Sequence, residues 1–196
     1  MTLLRAALVA ALAFATHPAF AHEVVPGVGG FYGGLMHPLL VPAHVLALCG
    51  LGLLIGQQPR RLGAGLMALF AASLIVGVTA IVSAVSPIYQ DTLVLVVAVI
   101  TGILVALARP VTALISLPLV VIAAIAVMLD SVPQEISMQT TFLALIGTVI
   151  AAFVFASFTA EAARALTRDW QRIGVRIVGS WIAASAVLVL ALRLAR

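Results

Sequence analysis

Gly33-Gly34-Leu35-Met36-His37-Pro38-Leu39-Leu40-Val41-Pro42-Ala43-His44 sets two imidazoles and two prolines at the head of a segment that stays apolar as far as Gly56. An ionisable side chain at the centre of a membrane helix costs on the order of 2.5–3.5 kcal/mol or more, so it is expected to face a bundle interior or a wet cavity and to mark a pathway. The segment therefore reads as the first span of a membrane protein with a polar site at its head.

Composition extends that reading to the whole chain. Of 196 residues, 64% are hydrophobic and 8% charged, and the mean hydropathy is +1.30; in soluble domains charged residues make up about a quarter. A spanning helix needs about 20 predominantly apolar residues, and six stretches qualify, at roughly 35–56, 62–85, 92–108, 111–129, 139–158 and 174–192. The expected fold is all-α: a polytopic membrane helical bundle of six transmembrane helices, forming a single domain over 22–196.

Residues 1–21 read separately. Arg5, an apolar run from Ala6 to Ala15, the helix breaker Pro18 and Ala19-Phe20-Ala21 have the form of a secretory signal peptide with its A-x-A cleavage site. Cleavage makes His22 the amino terminus, where its α-amino group and its ring can chelate a metal together. An uncleaved seventh helix is the alternative.

The lone cysteine, Cys49, lies inside the first span, so neither an intrachain disulfide nor a cysteine-rich metal site is available. The sequence pI is near 10.6, yet there is no lysine, and the arginines keep to short loops and helix ends. Basicity here reports orientation and excludes a nucleic-acid partner. Arg60 and Arg61, Arg109, and the group Arg164, Arg168, Arg172 and Arg176 mark alternate loops as cytoplasmic. The loops at 86–91 and 130–135 carry only acids and fall outside, as do both mature termini; Arg193 and Arg196 are exceptions. Residues 159–176 read as a helix along the inner leaflet with Trp170 at the interface.

The outer face then bears Glu23, Asp91, Asp130 and Glu135. Acidic clusters near a low-dielectric wall concentrate cations, although each acid taken singly also suits a helix end, as Asp91 does at the start of the third span. His37 and His44 are seven residues apart, so a straight helix sets them on one face about 10 Å apart along the axis, too far to share an ion. Pro42 makes a kinked or unwound segment the better expectation, and broken helices are where transporters build ion sites. With His44 deepest, His37 above it and His22 outside, the three form a series suited to capture followed by inward passage. Imidazole suits nickel, copper, zinc and iron, and Met36 and Cys49 are soft neighbours that would favour copper(I). Both membrane histidines sit on one segment, which speaks against a bis-histidine haem, and no catalytic set of residues is present; the chain is not expected to be an enzyme.

These residues resemble the HupE/UreJ family of small membrane proteins, encoded with hydrogenase and urease genes and regarded as nickel permeases. The likeness rests on Ala19-Phe20-Ala21 followed by His22, a glycine-rich lead, and the family pattern H-P-L-x-G-x-D-H-x-L-A, which His37, Pro38, Leu39, His44, Leu46 and Ala47 match in register. Ala43 stands where the family has aspartate, and Pro42 lies in place of a small residue near it. The family's second motif, H-G-x-x-H-G, has no counterpart in Asp130-Ser131-Val132-Pro133-Gln134-Glu135; an ungapped match sets Asp130 in place of its first histidine.

The resemblance implies an inner-membrane permease for a divalent transition metal, nickel first, with no permanently bound cofactor and with His22, His37, His44, Asp130 and Glu135 as candidate metal ligands. The two carboxylates make the site harder and admit cobalt, manganese or iron besides copper. Imidazole must be neutral to bind, so uptake is expected to weaken as pH falls through the ordinary histidine range near 6.5. The rival expectation is a non-transporting accessory factor for metalloenzyme maturation that binds metal or a partner protein. A homo-oligomer or complexes with maturation proteins are further expectations.

Overall fold

The structure is a computed structural model that describes residues 30–82, 90–109, 111–132 and 137–195. The signal peptide expected at 1–21, together with His22 and Glu135, lies outside the described residues. All regular structure described is helical: α1 (Phe31–Leu40), α2 (Pro42–Gly56), α3 (Arg60–Val82), α4 (Gln90–Leu107), α5 (Ala113–Leu129), α6 (Met138–Ala165) and α7 (Asp169–Leu194).

The first expected span is two helices, because Pro42 starts a new one. As the first residue of α2 it has no N–H to leave unsatisfied, and it forces Val41 before it into an extended conformation (φ −86°, ψ 110°). The chain turns by 76° across Val41. Pro38 sits inside α1 and cannot donate to the Gly34 carbonyl. Thr148 of α6 replaces that bond, its hydroxyl donating to the Gly34 carbonyl at 3.1 Å, as hydroxyls do for proline-interrupted helices in lipid. The same crossing is close: a Cβ on Gly34 would lie 1.8 Å from the Ala144 carbonyl oxygen, and one on Gly147 would lie 2.2 Å from that of Phe31.

Apolar on all sides, α2 takes the centre of the bundle. His44, Ala47, Leu48 and everything from Gly50 to Gly56 are buried, and α2 packs on α6 and α4. Gly52 and Gly56 form the contact with α6, where an added Cβ would meet the Ala156 and Ala160 carbonyls at 2.5 and 2.4 Å. Around this axis α4 pairs most extensively with α7, and α3 with α5. Outward faces carry Phe158, Trp181 and Leu188, all exposed, as lipid-facing residues are.

By length and composition α3, α4, α6 and α7 can each cross a membrane, and the bent pair α1–α2 adds a fifth candidate span. This is a multi-pass membrane protein, but the expected span at 111–129 is short. The 17 residues of α5 reach about 26 Å at 1.5 Å per residue, against a hydrocarbon core of about 30 Å. The stretch expected to lie along the inner leaflet is instead two helix ends: α6 runs on to Ala165 and α7 begins at Asp169, leaving Trp170 exposed at its first turn.

Candidate metal site

The bend at Val41 changes the relation of the two histidines. On a straight helix they would be about 10 Å apart; across the bend their ring centroids are 5.2 Å apart, with the planes at 65°. The bend thus brings the two rings into contact. Two imidazoles on one tetrahedral ion, each with an N–metal distance of about 2.0–2.1 Å, have centroids about 5 Å apart. The observed spacing fits a shared ion.

His44 is fully buried and its partner comes from the far end of α5. Its Nε2 donates to Asp130 Oδ2 at 2.9 Å, with the Asp130 side chain itself only 5% exposed. Asp130 follows the last turn of α5, and its backbone N–H closes that helix on the Ala126 carbonyl. Next to it, the Ser131 hydroxyl returns to the Val127 carbonyl at 2.6 Å, so the α5 terminus is held by its own turn and aims the carboxylate at His44. Sequence reading placed Asp130 on an acidic outer loop; the structure folds it into the bundle.

A carboxylate only accepts, so the pair fixes the proton on Nε2. A neutral ring then turns Nδ1 outward as a bare lone pair, and that atom is buried without a hydrogen-bond partner. Leaving a buried polar atom unsatisfied costs about 1–3 kcal/mol. A carboxylate behind one imidazole nitrogen and an open lone pair on the other is the arrangement by which proteins orient metal-binding histidines.

The other candidates do not join this cluster. Among the described residues no three His, Cys, Asp or Glu side chains gather closely enough to hold an ion by themselves. Met36 is exposed on α1, and Cys49 lies further along α2, partly buried against the apolar core. Asp91 pairs with Arg193 across the ends of α4 and α7. Thr148, which closes the proline gap in the His37 helix, was not singled out in the sequence; the only signal for it was a hydroxyl within an apolar helix at the register of Gly147.

Comparison with known families gives one result: the profile of the family described as HupE / UreJ protein matches residues 9–189. No curated protein and no solved structure matches the chain.

Proposed function

The chain belongs to the HupE/UreJ family, whose members serve metal-related accessory or transport roles, and from that premise we propose that it is an inner-membrane permease for a divalent transition metal, nickel first. The observation that carries the reading is the pairing of the His37 and His44 rings at 5.2 Å across a broken helix. Two further features support it. His44 Nδ1 is buried without a partner, and Pro42 has no N–H to offer the Pro38 carbonyl, leaving an oxygen at the break as a further ligand of the kind transporters use.

In this reading Asp130 orients His44 and does not bind the ion directly. Water and backbone oxygen complete the coordination, which keeps binding weak enough for release. His22, as the free amino terminus of the exported chain, and Glu135 capture the ion outside. The six-span topology with both termini outside belongs to the same proposal.

The test is accumulation of radioactive nickel, with cobalt and manganese as competitors, in a host stripped of its own nickel importers. Intact protein, His37→Ala and His44→Ala are compared at equal membrane levels. Accumulation by the intact chain and loss in both variants is the expected result. No accumulation above the empty host, together with stoichiometric nickel on the purified protein, would transfer the site to the accessory-factor reading.

A further inference from the structure

The end of the bundle opposite the histidines holds a cavity of about 660 Å³. It opens where α2, α4 and α6 end and α3 and α7 begin, about 18 Å along α2 from His44. Arg60, Arg109, Arg164 and Arg172 line it, with Glu161 as the one acid among the lining residues. Glu161 is already paired with Arg164, which leaves three guanidinium charges facing the space without a counter-charge.

Some arginines at this end have structural work. Arg164 Nη2 donates to the Ile55 carbonyl, and Arg176 Nε donates to that of Ala106, closing the ends of α2 and α4. Arg60, Arg109 and Arg172 make no such bond or ion pair among the described residues.

We propose that this cavity binds a phosphate-bearing anion. Its volume is that of a small-molecule site, and planar guanidinium forks match phosphate oxygens in pairs. A phosphate accepts from the three uncompensated arginines. The chemistry has two sources. One is the headgroup of an anionic phospholipid such as phosphatidylglycerol, which meets basic pockets between helices at the membrane surface; the other is soluble phosphate. The uncompensated arginines repel a divalent cation, so the site is independent of the permease reading.

Thermal unfolding of the purified full-length protein in neutral detergent tests this, with phosphatidylglycerol, phosphatidylcholine or inorganic phosphate added. The comparison protein is the triple variant Arg60→Gln, Arg109→Gln, Arg172→Gln, and the single variant Arg172→Gln is carried alongside in case the triple variant folds poorly. Expected is a rise of several degrees with phosphatidylglycerol, absent with phosphatidylcholine, and lost in the triple variant or reduced in the single one. Native mass spectrometry should count one retained anionic lipid per chain on the intact protein and fewer on Arg172→Gln. A rise with inorganic phosphate equal to that with the lipid supports the anion site and assigns it to a soluble source. No rise with either, or an equal rise in the variants, overturns the proposal.

Discussion

His44 Nε2 and Asp130 Oδ2 lie 2.9 Å apart although 86 residues separate them in the chain. The bond ties the head of α2 to the tail of α5, and it fixes which nitrogen of a fully buried ring keeps its lone pair. Neither partner makes sense alone. An uncompensated carboxylate inside an apolar bundle is expensive, and an unoriented imidazole is a poor metal ligand.

Asp130→Asn and Asp130→Ala therefore separate two roles. Asparagine keeps an acceptor for Nε2–H, so the fold should lose little, while removal of the carboxylate charge makes His44 a weaker ligand. Metal affinity, measured by calorimetry on protein in detergent, should drop about 10- to 100-fold, the usual cost of losing such a partner. Alanine leaves Nε2–H buried without an acceptor and should also destabilise the bundle by about 1–3 kcal/mol. Equal affinity in intact protein and Asp130→Asn would show that the carboxylate has no part in metal binding.

The crossing of α1 and α6 should tolerate no side chain at Gly34. A Cβ there would sit 1.8 Å from the Ala144 backbone oxygen, which cannot swing away as a side chain could, whereas Gly65 has nothing within 4 Å. Gly34→Ala should cost about 1–3 kcal/mol or more in unfolding experiments, and Gly65→Ala should be neutral or slightly stabilising, since alanine is the better helix former. Thr148→Val, which removes the donor to the Gly34 carbonyl, should cost about 1 kcal/mol.

The helices were legible from long apolar runs punctuated by arginine and proline, and the two prolines announced a break near Val41. What the break accomplishes was not legible. A periodicity argument runs along one straight axis and separates His37 from His44, while the 76° turn that unites them depends on how α1 packs against α6. Asp130 was legible as an acid beside an apolar segment, and its sequence neighbours Ser131 and Pro133 favoured a loop. Its contact with His44 is a product of tertiary packing, which no local spacing encodes. The short reach of α5 follows from residues that were visible, Pro110 before it and Asp130 after it.

Ala108, just past the end of α4, has φ +50°, a left-handed conformation that costs an alanine about 1–2 kcal/mol and that glycine adopts freely. Its N–H closes the helix on the Val105 carbonyl. Ala108→Gly should raise the unfolding free energy by about 1 kcal/mol, read as a higher thermal midpoint in detergent. A lower midpoint would mean that the left-handed turn is not maintained in solution.

Pro42→Ala tests whether the bend itself makes the site. Alanine restores an N–H that can reach the Pro38 carbonyl, and the residue before it is no longer barred from helical angles, so α1 and α2 can join into one continuous helix. His37 and His44 would then move from 5.2 Å between centroids toward the two-turn separation of about 10 Å. Helix content should hold or rise, because a broken ladder has been mended, although α1 loses its packing on α6, while nickel bound per chain and nickel accumulated in cells should both fall toward the level of His44→Ala. That combination, full helix content yet no binding, cannot arise from general unfolding. If the variant binds nickel as the intact protein does, the two imidazoles do not share an ion and the broken helix is only a packing solution.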